Sequence, residues 1–276
     1  MFDETLRGWG MPDDFMEEHW RRSPVAGQQI APAPGVPAPG EVRDLLRSGL
    51  RADRVSVSTA GRLHHPAEFT VERVIAGRTV ADIVDPDRLA GVMEQGATAI
   101  LSDGEHWMPW ATSLTTGLAE ETGCEVQAHV FLTSGKHAGL VPHVDGEDNF
   151  LLQIEGSKRW SLWPNQGGTS ARHVDRDRLG PPAVTIELHP GDSLYIPLGW
   201  VHGAVAGDEG STHITYQLVP VSLVDAVLDQ LAGELERLLG DDVADVDGGV
   251  PLEPAVAEEL AVAIAGRLRT SVRNGV

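Results

Sequence analysis

The chain has 276 residues and 41% hydrophobic content, enough to bury one large core or two small ones. Lys+Arg 21 against Asp+Glu 41 gives a net charge of -20, so most of the surface would repel a phosphate backbone, which argues against direct contact with nucleic acid. The single cysteine, Cys124, excludes an intramolecular disulfide, and no apolar run reaches membrane-spanning length. The acidic stretch Met1 to Glu18 lacks a basic region followed by an apolar core, so the expectation is a cytoplasmic protein without a membrane partner.

In chain order, Asp13 to Arg22 predicts a short helix with Phe15, Met16 and Trp20 as its apolar stripe. The Pro/Gly/Ala-rich run Ala31 to Gly40 predicts a loop, Val42 to Ser48 a helix, and Val55–Ser58 and Phe69–Val74 short strands. Ala111 to Thr122 predicts a helix that stops at Gly123. From Glu125 to Pro220 the pattern is strands punctuated by Gly, Pro, Asn and Asp. The candidates are Val126–Leu132, Leu140–Asp145, Phe150–Ile154, Lys158–Trp163, Ala183–Leu188, Ser193–Ile196, Ala204–Val205 and Thr212–Leu218. Such spacing predicts an antiparallel barrel or double-sheet jelly roll. Beyond it, Leu223–Leu239 and Pro254–Val272 carry helical periodicity on either side of an acidic loop, Gly240 to Pro251. The fold class is therefore mainly β with flanking helices: N-terminal α/β elements over 1–124, the barrel over 125–220, and a helical segment over 221–276 that offers a homodimer interface.

Two segments carry chemistry. Pro142-His143-Val144-Asp145 and Pro197-Leu198-Gly199-Trp200-Val201-His202 supply two imidazoles and one carboxylate, the set that binds non-haem Fe(II) on one face and leaves positions open opposite. His143 and Asp145 stand at i and i+2, on one face of an extended strand, and His202 must arrive from a distant strand. On the late strand, Ser211, His213, Thr215 and Gln217 share one face by the same period, with Thr215 and Gln217 placed either to bond a cosubstrate or simply to line the barrel. Trp160, Trp163 and Trp200 suit core and barrel-mouth packing. Trp107 and Trp110 are candidates to wall a substrate cleft. The histidines at 64, 65, 106, 137, 173 and 189 lie in loop-like sequence and are expected at the surface.

These segments resemble the JmjC-type, cupin-fold Fe(II)/2-oxoglutarate oxygenases, and within them the cupin-4 branch of ribosomal oxygenases. The residues carrying the resemblance are AHVFLTSGKHAGLVPHVDGEDNFLLQIEGSKRWSLWP (Ala128 to Pro164), PGDSLYIPLGWVHGAVA (Pro190 to Ala206) and STHIT (Ser211 to Thr215), with FMEEHWRRSP near the N-terminus. The resemblance implies a double-stranded β-helix with metal ligands His143, Asp145 and His202. It implies that Lys158, at the start of its strand after a Glu155-Gly156-Ser157 turn, pairs with the distal carboxylate of 2-oxoglutarate, and that Asn149 lies near the metal-binding carboxylate of that cosubstrate. Arg159 would face the other side of the sheet. The implied reaction uses Fe(II), 2-oxoglutarate and O2 to hydroxylate an unactivated C–H of a protein or peptide side chain or a peptide-like small molecule, releasing succinate and CO2.

The sequence departs from that branch at two places. Its asparagine and tyrosine, fourteen and twelve residues before the first metal histidine, are replaced here by His129 and Phe131. Phenylalanine donates no hydrogen bond, so one usual contact to 2-oxoglutarate is missing unless Thr133 or another hydroxyl replaces it, and His129 is a candidate to line the substrate side instead. Two rival readings stand beside the oxygenase: a metal cupin that dispenses with 2-oxoglutarate, against which Lys158 argues, and a non-enzymatic binding module, against which the intact ligand set argues.

Overall fold

The computed structural model of the chain describes residues 2–28, 35–38, 40–165 and 172–220. The two C-terminal helices expected from the sequence, and the dimer interface assigned to them, lie outside the described residues, as does half of the predicted loop at 31–40.

The N-terminal part comprises α1 (Phe2–Gly8), α2 (Phe15–Glu18), β1 (Val25–Gly27), α3 (Glu41–Arg47), β2 (Val55–Thr59), β3 (Arg62–Leu63), β4 (Thr70–Ile75), β5 (Arg78–Val84), α4 (Pro86–Met93), β6 (Thr98–Leu101) and α5 (Pro109–Thr122). The strand-rich part follows as β7 (Cys124–Thr133), β8 (His143–Val144), β9 (Asp148–Trp163), β10 (Arg172–His173), β11 (Val184–Leu188), β12 (Ser193–Ile196) and β13 (Val201–Pro220). Strands pair in the order β1-β12-β9-β13-β7-β6-β2-β3, with β11 on β9, β8 on β13 and β10 on β8. The fold is a jelly roll of the cupin type, with β4 and β5 forming a separate hairpin. Residues 1–219 cluster as one unit. The N-terminal segment does more than pack on the barrel: β1 extends the sheet beyond β12, and β6, β2 and β3 extend it beyond β7.

Alternation explains both layers. Along β7, Cys124, Val126, Ala128, Val130 and Leu132 are buried, as are Phe150, Leu152 and Ile154 on β9 and Ile214, Tyr216 and Leu218 on β13. These residues share one cluster with Trp9, Phe15, Leu89, Leu114 and Leu118, so this sheet face is covered by the helices. Trp9 stacks on Tyr216 at 5.4 Å, and Phe15 meets Tyr195 edge-on at 4.8 Å. The opposite face lines the barrel interior, where Leu151, Trp160, Leu162, Leu188, Leu194 and Ile196 form a second core.

Two expected strand pairs are single bent strands. Phe150–Ile154 and Lys158–Trp163 belong to β9, and Ala204–Val205 and Thr212–Leu218 to β13, so the predicted Glu155-Gly156-Ser157 turn is a bend within a strand. At the bend Gly156 has φ 64, and a Cβ there would overlap the Gly210 carbonyl oxygen of β13. The bend reverses the alternation. Odd-numbered residues point inward before it (Asn149, Leu151), and even-numbered ones after it (Lys158, Trp160). β13 reverses in the opposite sense across its own register shift between Ala206 and Ser211, with His202 and Ala204 inward before and His213, Thr215 and Gln217 inward after.

Several elements differ from expectation. Helix α2 is a single turn rather than Asp13 to Arg22, and only His143–Val144 of Leu140–Asp145 is strand. Helix α5 ends at Thr122 as expected, with Gly123 left-handed at φ 66, but starts two residues earlier, at Pro109.

Candidate metal and anion site

Pairing of β8 with β13 sets His143 directly opposite His202, which brings the two distant segments together. The turn before β13 is anchored from below. Leu198 N–H donates to Asp148 at 3.2 Å, and Gly199 N–H donates to the Asp145 carbonyl at 3.0 Å. The wholly buried Asp148 also accepts from Tyr195 at 2.6 Å and from Arg21 Nε at 3.0 Å. Sequence inspection missed this clamp. Asp148 sits in a turn-like GEDN run, and its partners are remote in the chain.

The ligand atoms of His143, Asp145 and His202 all lie within 4.8 Å of one another, and this trio is the metal-capable group found among the described residues. His143 Nδ1 bonds the Val141 carbonyl at 2.9 Å and His202 Nδ1 bonds the Trp200 carbonyl at 3.1 Å. A carbonyl only accepts, so each Nδ1 carries a proton and each Nε2 is the ring atom turned toward Asp145 and offered to a cation. Those Nε2 atoms stand 3.5 and 3.3 Å from the Asp145 carboxylate oxygens. Asn149 Nδ2 donates to Asp145 Oδ2 at 3.0 Å, while Asn149 Oδ1 accepts from Gln217 at 3.1 Å. A side-chain relay thus runs from Gln217 on β13 through Asn149 to the carboxylate.

The charges fit a cation site. Burial, then the neighbouring His202, pushes His143 down to about 4. Burial works to raise Asp145, but His202 and His143 together with the Asn149 bond outweigh it and hold the carboxylate at about 2. Burial likewise works against a charged His202, and the Asp145 carboxylate overcomes it and raises its pKa. At neutral pH the cluster therefore holds an ionised carboxylate and at least one neutral imidazole, and a divalent cation would displace any proton left on His202 Nε2.

Behind the trio lies a cavity lined from β7, β8, β9, β12 and β13. Of the residues singled out from the sequence, His143, Asp145, His202, Lys158, Asn149, Phe131, His213, Thr215 and Gln217 line it. His129, Thr133 and Trp200 do not. Thr133 bonds Thr98 at 3.0 Å, and Thr98 is the member of that pair that reaches the cavity. Trp200 packs on the second core, and its backbone carbonyl is what serves the site. Asn149, expected beside the cosubstrate, spends its amide on Asp145 and Gln217. Trp107 and Trp110, candidates for a cleft wall, pack against the helical core instead. His173 is exposed as expected, yet it stands opposite His143 in the β8–β10 register. Leu140, Leu151, Trp160 and Ile196 supply the apolar lining. Alternation on β9 would have found Leu151 and Trp160, had the bend at Gly156 been foreseen.

Lys158 stands inside this cavity, 3% exposed, with Nζ 5.2 Å over the Trp160 ring. Burial pushes its pKa down to about 7, and no charged neighbour offsets that cost. Among the described residues no carboxylate pairs with it. An ammonium kept dry without a counter-ion is an anion site in search of its anion, and it lies in the same cavity as the metal-capable trio. The donor set thus fits a chelated metal at one end and a carboxylate at the other.

Comparison with known proteins agrees. Residues 110–224 match the JmjC domain family. The bifunctional lysine-specific demethylase and histidyl-hydroxylase NO66 of Drosophila persimilis is 29% identical over 179 residues, covering 62% of this chain and 25% of the fly protein. Its counterpart from Aedes aegypti is 24% identical over 255 residues, covering 87% of this chain and 38% of the mosquito protein. The chain thus spans about a quarter to two fifths of the length of these relatives. Among solved structures, Escherichia coli YcfD, described as a ribosomal oxygenase in complex with cobalt and 2-oxoglutarate, superposes with a TM-score of 0.55 at 19% identity, covering 92% of this chain and 66% of that one.

Proposed function

Residues 110–224 match the JmjC domain family, and from that match we propose that the chain is an Fe(II)- and 2-oxoglutarate-dependent oxygenase that hydroxylates an unactivated C–H bond of a protein or peptide side chain. A peptide-like small molecule is the alternative member of this substrate class. The protein-substrate part of the reading draws on the relatives: NO66 is named for demethylase and histidyl-hydroxylase activity, and YcfD is described as a ribosomal oxygenase.

The observation that carries the proposal is one cavity holding both a His143–Asp145–His202 trio and the unpaired ammonium of Lys158. His143, Asp145 and His202 would hold the iron, and Lys158 would hold the distal carboxylate of 2-oxoglutarate. Bound there, iron and cosubstrate supply O2 activation, with 2-oxoglutarate and O2 converted to succinate and CO2 as C–H becomes C–OH. The rest is work for this chain's side chains. The Val141 and Trp200 carbonyls fix the tautomers of both imidazoles. Asn149 fixes the carboxylate. Leu140, Leu151, Trp160 and Ile196 keep water from the reacting atoms. A 2-oxoglutarate-independent cupin has no use for a buried, unpaired cation, which is why Lys158 favours the oxygenase.

The test is titration of 2-oxoglutarate into anaerobic, Fe(II)-loaded protein, following the weak visible charge-transfer band of the chelate. A band in the wild type that is lost or weakened in Lys158→Ala supports the reading. Iron binding without a band transfers the lead to the 2-oxoglutarate-independent cupin.

A further inference from the structure

The closed end of the cavity holds more than Lys158. His213 Nδ1 and Trp160 Nε1 are also buried there without a hydrogen-bond partner. His213 is 1% exposed and reaches the cavity from β13 on the same face as Thr215 and Gln217. Its ring is held from two sides. It lies flat on Phe131, with centroids 4.8 Å apart and an interplanar angle of 10°, and meets Trp160 edge-on at 5.4 Å and 89°. The plane of the imidazole, and with it the direction of its nitrogens, is therefore set before any ligand arrives. Burial, then the adjacent Lys158 charge, keeps the ring neutral. A neutral imidazole has one N–H to donate and adds no second charge beside the ammonium.

A carboxylate has two oxygens, and one ammonium on a flexible stem does not fix its orientation. Trp160 offers Lys158 its ring face. Phe131, on β7, has no hydroxyl to give. We propose that His213 donates the second hydrogen bond, beside Lys158, to the distal carboxylate of the 2-oxo dicarboxylate cosubstrate, with Phe131 serving as the platform that sets its plane. This inference rests on the cosubstrate reading above and adds to it the residue that selects a dicarboxylate over a monocarboxylate.

The experiment is calorimetric titration of the full chain, anaerobic and saturated with Fe(II), with 2-oxoglutarate and separately with 2-oxobutyrate. The two share the chelating keto acid, and 2-oxobutyrate lacks the distal carboxylate. The quantity read is the ratio of the two affinities. In His213→Phe, which keeps the stack and removes the donor, the ratio is expected to fall by about tenfold or more, the size of one hydrogen bond to a charged group. Affinity for 2-oxobutyrate should stay within about twofold. If the phenylalanine variant is not recovered folded, His213→Asn is read by the same ratio, with a smaller fall because an amide donor remains. A ratio unchanged from wild type in the folded variant, or equal weakening of both ligands, overturns the inference. Lys158→Met is run alongside. If that variant leaves the ratio unchanged, the cosubstrate reading itself fails. If it lowers the ratio while the His213 variants do not, only the role of His213 is lost.

Discussion

The two ends of the cavity differ in how much of their hydrogen bonding the chain completes for itself. At the metal end both Nδ1 atoms are tied to carbonyls, and Asp145 is held by Asn149, which is held by Gln217. At the closed end, among the described residues, the Lys158 ammonium has no counter-ion, and His213 Nδ1 and Trp160 Nε1 have no hydrogen-bond partner. Polar groups left unmatched in a dry interior cost stability, so a fold keeps them where a ligand completes them. The first end is built to orient, the second to be completed.

The largest effect expected from breaking that arrangement is at Asp145. Asp145→Ala removes the only carboxylate among the three ligands and leaves two imidazoles side by side, with ring centroids 4.2 Å apart. Metal affinity measured by competition with a chelating dye should fall at least about a hundredfold, beyond the usual loss of an outer partner. Succinate formation should drop to background while thermal unfolding remains cooperative. Full turnover in this variant would remove the metal site as the seat of the reaction.

The closed end is tested by pH. Burial places the free Lys158 near 7, so below about that pH the ammonium is already charged, and the anion binds without proton uptake. Above it a proton must be taken up on binding, so 2-oxoglutarate affinity should weaken by up to about tenfold per pH unit. Binding would raise the lysine's pKa, which fixes the sign. Measured at saturating metal, the slope should vanish in Lys158→Met, which should also bind about 10- to 100-fold more weakly throughout. A wild-type profile that is flat from pH 7 to about 9 would mean that Lys158 does not face the carboxylate.

The two ends were also unequally legible. His143, Asp145 and His202 announce themselves because ligand identity and i, i+2 spacing are properties of the sequence. What orients them is not: two backbone carbonyls, at Val141 and Trp200, have no signature in side chains. The clamp of Asp148 by Arg21 and Tyr195 joins residues 127 and 47 positions apart. At the closed end, Lys158 was expected after a turn and is found just beyond a bend, because Gly156 and Gly210 face each other and let one strand continue from one sheet to the next. Alternation within each half was readable, and the change of phase between the halves was not. Helix α4 was overlooked although its start is signalled: Asp85 caps the N–H of Arg88 at 3.1 Å, and Pro86 opens the helix.

A smaller effect is expected at Asn149, the last side chain between the relay and the metal end. Asn149→Ala frees Asp145 Oδ2 from its 3.0 Å donor without removing a ligand. Metal should still bind at one equivalent, with affinity reduced by about tenfold, and the selectivity between 2-oxoglutarate and 2-oxobutyrate should stay as it is. A change in that selectivity would place Asn149 on the cosubstrate and collapse the distinction between the two ends.

The smallest effect is expected one residue from Lys158. Arg159 carries the same charge on the same strand, but alternation turns it out of the barrel, where its side chain is 66% exposed and stands 3.6 Å from Glu187 on β11. An exposed pair of this kind contributes little to stability because water screens it. Arg159→Met should therefore leave 2-oxoglutarate affinity within about twofold and the unfolding midpoint nearly unchanged. The contrast with Lys158→Met tests the phase of β9 itself. If the anion were drawn by general positive charge, the two substitutions would weaken binding alike; if it is held by the one cation that the bend at Gly156 turns inward, only Lys158 will matter.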